Sequence, residues 1–139
     1  MNFLLDTNVL SEWTKPRPNS GVIKWLSECD EDRVFLSVVT VAELRHGIEL
    51  LAAGQRRARL DTWLREELLQ RFEGRILPVD TGIADLCGRV VARREKLGRP
   101  IQAMDALIAA TATACDLTLI TRNALDFETS VNSILNPWS

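Results

Sequence analysis

Phe3-Leu4-Leu5-Asp6-Thr7-Asn8-Val9-Leu10 is the stretch from which the rest of the chain can be read. Three consecutive apolar residues leave no polar face, the signature of a strand buried on both sides in a parallel sheet. Asp6 ends the run, and Val9-Leu10 resumes apolar character beyond a short polar turn. In open parallel sheets, binding sites lie outside the C-terminal ends of the strands. A carboxylate in that position directs attention to the residues just past each of the other strands.

Val34-Phe35-Leu36, Ile76-Leu77 and Leu117-Thr118-Leu119-Ile120 are similar short apolar runs, and Val131 to Leu135 forms a fifth. Between them, Val41, Leu44, Ile48 and Leu51 recur at helical spacing. So do Ile83, Leu86, Val90 and Leu97, and Leu60, Trp63, Leu64 and Leu68 after Gly54. Pro16 and Pro18 separate a short first helix from a second that begins near Ser20, and Leu97-Gly98-Arg99-Pro100 breaks two later helices. Strands and helices in this order predict an α/β fold: a three-layer α/β/α sandwich around a central, mostly parallel sheet. The 139 residues form one domain spanning 1–139.

Four acids fall at equivalent places. Asp6 ends the first strand, and Glu43 lies just past the second. Asp105 opens the small-residue helix Asp105-Ala-Leu-Ile-Ala-Ala-Thr, and Asp126 comes six residues after Ile120. Each has a structural explanation alone. Thr40 and Glu43 have the spacing of a capping box, and Asn123 with Asp126 a similar one. Asp6 suits a helix cap, and Asp105 the positive end of a helix dipole. Jointly they point to chemistry. Helices that come after parallel strands start at one sheet edge, so the four carboxylates converge. Gathered carboxylates repel unless a cation joins them, and hard oxygen donors suit Mg²⁺ or Mn²⁺ rather than zinc.

Phe3-Leu-Leu-Asp6-Thr7-Asn8-Val9-Leu10, Thr40-Val-Ala-Glu43-Leu44-Arg-His-Gly47, Asp105-Ala-Leu-Ile-Ala-Ala-Thr and Thr121-Arg-Asn123-Ala-Leu-Asp126-Phe127 together resemble the PIN domain of VapC-type toxins. Within these the FitB-like subgroup is the nearest, and the resemblance spans nearly the whole chain. It implies a Mg²⁺-dependent endoribonuclease (Mn²⁺ being the alternative ion) that acts as the toxin of a toxin–antitoxin pair. Asp6, Glu43, Asp105 and Asp126 would be the catalytic, metal-holding acids, with Thr121 and Asn123 lining the same pocket. It further implies a cognate antitoxin, an RNA substrate, a homodimer, and operator DNA reached only through the antitoxin. Bound metal would acidify water and polarise the phosphate. The antitoxin would block the site by inserting a cationic side chain among the acids.

Arg89, Arg93 and Lys96 share one helical face and are candidate contacts for an RNA backbone; a solvated face with ordinary ion pairs is the plainer reading. Arg56, Arg57 and Arg59 form a second basic group. Asn8 has a local explanation, stabilising the turn after the first strand. Trp13 and Trp138 are candidates for a partner surface, while Trp25 and Trp63 suit the core. A net charge of -2 neither suggests nor excludes a polyanion partner. Cys29, Cys87 and Cys115 have no CxxC spacing and read as small buried residues of a reducing compartment. With no basic, apolar leader and no run of membrane-spanning length, the expectation is a cytoplasmic protein without a membrane partner. Two other functions fit the α/β pattern. One is a PIN-fold module with a weak site, serving mainly within an antitoxin complex on operator DNA. The other is a receiver domain, but Asp80 lacks the lysine that would have to come after a late strand.

Overall fold

The computed structural model describes residues 1–139. Five strands form one sheet in the order β3-β2-β1-β4-β5, and every neighbouring pair is parallel. The strands are β1 (Phe3–Leu5), β2 (Val34–Ser37), β3 (Ile76–Leu77), β4 (Thr118–Ile120) and β5 (Ile134–Leu135). The fifth strand is shorter than the Val131–Leu135 run because Val131 turns inward to pack under Phe127. Successive residues alternate between the two faces, as a strand requires. Leu5, Leu36 and Ile120 enter one core with Val9, Leu10, Val22, Leu44, Ile48, Leu64 and Leu68. Leu4 and Leu119 enter the other with Ile108, Ala109, Ala112 and Phe127.

The first face is covered by α1 (Thr7–Trp13), α2 (Ser20–Glu28), α3 (Val38–Leu50) and the segment after Gly54. That segment runs as α4 (Gln55–Thr62), a π-helical stretch Trp63–Leu68 and α5 (Leu69–Arg71). The wider turn keeps Leu64 and Leu68 both buried. Against the second face lies α7 (Ala103–Ala114), backed by α6 (Thr81–Lys96), with α8 (Ala124–Phe127) at the rim. Small residues at 106, 109, 110 and 112 bring α7 close to the sheet, and all are buried.

Gly98 has φ +72, a left-handed position that favours glycine. There the chain leaves α6 with Arg99 N–H bonded to the Arg94 carbonyl, which turns it sharply toward α7. Two readings of the sequence need correction. Leu97 is exposed rather than part of the apolar stripe, because it caps the helix past its last packed turn. Cys115 is exposed at the end of α7, while Cys29 and Cys87 are half-buried; all three are free thiols. No helix is long and apolar enough to cross a membrane.

Candidate metal centre

Asp6 stands at the end of β1, where its backbone N–H still pairs with Ile120 of β4 at 2.9 Å. Its side chain is almost wholly buried and fixed by donors. Thr7 N–H reaches Oδ1 at 2.8 Å, Thr121 Oγ1 reaches Oδ2 at 2.7 Å, and Asn8 Nδ2 lies 3.4 Å from Oδ2. Asp6 therefore does cap α1, but its second oxygen is held by Thr121 at the end of β4. Burial raises its proton affinity; the bonds from Thr121 and Thr7 work against that, and the charge of Glu43 adds to it.

Glu43 is not a capping residue. α3 begins at Val38, with Ser37 Oγ accepting from Val39 N–H at 3.0 Å, so Thr40 already lies inside the helix. The Thr40–Glu43 capping box fails for that reason. Glu43 instead accepts the Thr7 hydroxyl at 2.6 Å, which brings α3 to the mouth of β1. Asn123 and Asp126 form no capping box either, since Asn123 makes no side-chain bond to α8.

Asp105 sits in the first turn of α7, half-buried, and accepts no hydrogen bond from any protein group. Its pKa is pushed up to about 6, first by burial, then by the charges of Asp6, Glu43 and Asp126; Arg94 partly offsets them. Asp126 is thus close enough to act on Asp105, although it is exposed and does not line the cleft that the other three share.

That cleft has a volume of about 340 Å³. Asp6, Glu43 and Asp105 line it together with Asn123, while Thr121 is buried beneath, its hydroxyl accepting the Asn123 N–H at 3.0 Å. Asn8 does more than hold its own turn. It lies 3.4 Å from the Thr121 hydroxyl and accepts the Arg122 N–H at 3.4 Å, so it joins the ends of β1 and β4.

Two residues of the site are not evident from sequence. Glu12 lines the cleft yet is buried, accepting Lys15 Nζ at 2.8 Å and Asn19 N–H at 2.9 Å. These bonds hold its carboxyl below the usual glutamate range. Arg94 is buried in α6 and donates to the Arg99 carbonyl at 2.7 Å, the Asp126 carbonyl at 2.9 Å and Ser130 Oγ at 3.0 Å. It pins the backbone that carries Asp126. Its position four residues after buried Val90 was the signal.

The structure does not bring Arg89, Arg93 and Lys96 to the cleft. Arg89 pairs with Asp85 at 3.0 Å, and Arg93 donates to the Thr129 carbonyl at 3.0 Å. Arg89 and Arg93 border a separate depression on the flank of α6 that shares no residue with the acid cleft.

The donor set is oxygen-only, which suits a hard divalent ion. As the side chains stand, no three acidic, histidine or cysteine groups lie close enough together to hold a metal ion.

Comparison with known proteins agrees with this architecture. A family model described as PIN domain matches residues 3–128. The chain is 41% identical to Toxin FitB of Neisseria gonorrhoeae, with 97% of each chain covered. It is 37% identical to VapC ribonuclease Y4jK of Sinorhizobium fredii, covering 97% of this chain and 96% of that one. In solved structures it superposes with a TM-score of 0.92, at 38% identity, on a chain of FitAB bound to an IR36 DNA fragment, covering 99% of this chain and 96% of the other. The chain therefore belongs to the PIN-domain family, alongside FitB and the VapC proteins.

Proposed function

We propose that this protein is a divalent-metal-dependent endoribonuclease, the toxin of a toxin–antitoxin pair. The observation that carries the reading is Asp105: an unbonded carboxylate whose proton affinity is raised by burial and three neighbouring acids. An acid so placed is costly in the free protein and is relieved by a cation. Relatives that bear the names ribonuclease and endonuclease support the activity, and relatives solved as toxin–antitoxin complexes support the partner.

Asp6, Glu43 and Asp105 would hold Mg²⁺ or Mn²⁺, with Asp126 at the rim. When bound, the ion supplies positive charge at the phosphoryl oxygens and makes water a better nucleophile. The chain's own residues do the rest. Thr121, Asn8 and the Thr7 amide fix the Asp6 carboxylate, and the Thr7 hydroxyl fixes Glu43. Asp126 is exposed at the rim with its backbone pinned by Arg94, and in this reading its carboxylate would orient an attacking water. A groove of about 630 Å³ lined by Trp13, Leu60 and Trp63 offers apolar surface for the antitoxin or a second protomer. Operator DNA would be reached through the antitoxin.

The test is RNA cleavage by antitoxin-free protein with Mg²⁺ or with chelator, for wild type and Asp6→Asn. Cleavage should need metal and vanish in the folded variant. Full cleavage by Asp6→Asn, or in chelator, would overturn the reading; metal-dependent antitoxin binding without any cleavage would favour the weak-site module.

A further inference from the structure

The acid cleft has a second wall that the carboxylates do not explain. Lys15, Arg122 and Trp138 line it. Lys15 is committed to Glu12. Arg122 forms no ion pair within 4 Å, although its charge helps hold the Glu12 carboxyl low and Asp6, Glu43 and Asp105 border the same space. Its guanidinium carbon lies 5.7 Å from the centroid of the Trp138 ring.

Both members of this pair are held from behind. The Arg122 N–H donates to Asn8 Oδ1, and Asn136 Nδ2 donates to the Arg122 carbonyl, each at 3.4 Å. The C-terminal tail is seated on the start of α2. Asn19 Oδ1 caps α2 and accepts the Ser139 N–H at 3.1 Å. A Cβ at Gly21 would stand 2.4 Å from the Pro137 carbonyl oxygen, so only glycine lets the tail pass this closely. Trp138 also packs against the first core, which keeps its ring at the cleft.

We propose that the Arg122–Trp138 pair is the subsite that holds the RNA nucleotide beside the scissile bond. This rests on the ribonuclease reading. A phosphodiester strand entering a cleft of carboxylates meets repulsion on both sides of the reacting phosphate, and a flanking cation offsets it. Guanidinium takes phosphate oxygens bidentately through its N–H edge and presents a flat face to a base. Laid beside an indole, it makes a stacking platform that tolerates any base, the usual means of holding single-stranded RNA. The basic face of α6, which borders a different depression, cannot serve this purpose for a phosphate at Asp105.

The test measures cleavage kinetics and equilibrium binding of a short single-stranded RNA, the latter in an Asp105→Asn background, with antitoxin binding in parallel. Arg122→Ala should raise KM about tenfold and leave kcat within about twofold. It should also flatten the dependence of log affinity on log salt by about 0.7, the loss of one single-strand phosphate contact. Arg122→Lys should restore the salt slope but only part of the affinity. Trp138→Leu, which keeps an apolar side chain on the core, should weaken RNA binding several-fold with the slope unchanged. Arg122→Ala with wild-type KM and salt slope would overturn the subsite while leaving the nuclease reading intact. Loss of antitoxin affinity alone would assign the pair to that protein instead. Wild type that neither binds nor cleaves RNA would remove the ribonuclease reading itself.

Discussion

Glu12 and Asp105 face the same cleft from opposite sides and behave in opposite ways. Glu12 is the more buried, yet its carboxyl is held low because Lys15 and the Asn19 amide donate to it. Asp105 is only half-buried, has no donor, and is pushed up to about 6. Burial alone therefore does not decide how a carboxyl's proton affinity shifts; the supply of donors does. The α1–α2 corner is finished by its own hydrogen bonds, whereas Asp105 on the α7 side has neighbouring acids and no donor.

Exchanging the roles of the two acids should be the most disruptive test. Asp105→Asn is expected to lower RNA cleavage by roughly 10² to 10³-fold, comparable to removing a transition-state donor. Glu12→Gln should leave kcat within a few-fold but lower the midpoint of thermal unfolding, because it loses Lys15. Equal kinetic damage from both would erase the distinction.

Arg94→Met extends the test to the support of Asp126. It strips donors from two carbonyls and a hydroxyl that are otherwise bonded. The expected cost is about 3 kcal/mol in denaturant unfolding, since one buried and two part-buried acceptors lose their partner. A milder change is Thr121→Val, which removes the hydroxyl that orients Asp6. It should weaken metal binding about tenfold, as loss of a group behind a ligand does, and calorimetric titration reads that directly. The smallest effect belongs to Arg89→Ala. Its exposed pair with Asp85 contributes at most about 0.5 kcal/mol, and RNA cleavage should stay within about twofold. A large loss of RNA affinity there would return the α6 face to the substrate path.

The parallel sheet and the meeting of Asp6, Glu43 and Asp105 were legible because they come from local pattern plus one geometric rule. Apolar triplets mark buried strands, and helices after parallel strands begin at one edge. What failed were inferences that needed an exact helix start or an orientation in space. Thr40–Glu43 matches a capping box, but Ser37 caps three residues earlier. Arg89, Arg93 and Lys96 do share a face, but helical periodicity does not say which depression that face borders. Glu12 resembles a surface residue because one of its donors, Asn19 N–H, depends on how the Pro16–Pro18 segment folds back. Arg94 is hidden among Arg93 and Glu95, although its register with Val90 places it inward. Trp138 reaches the cleft through tail contacts with Asn19 and Gly21, more than a hundred positions away in the chain.

Asp105 contributes to the pH behaviour of the metal-free protein, with buried Asp6 acting in the same direction and Glu12 in the opposite one. Between its ordinary value of 3.8 and about 6, the folded protein retains a proton that the unfolded chain has released. Stability should therefore fall as pH rises through that window and remain lower above it. Asp105→Asn should show a smaller fall, the remainder coming from Asp6. The most direct measurement is thermal unfolding of wild type and Asp105→Asn at neutral pH, each with chelator and with excess Mn²⁺. A cation-awaiting acid predicts a variant at least as stable as wild type in chelator, and a stabilisation by Mn²⁺ that wild type shows and the variant loses. A variant less stable than wild type in chelator, with an undiminished response to Mn²⁺, would show that Asp105 is a structural acid and that the ion binds elsewhere.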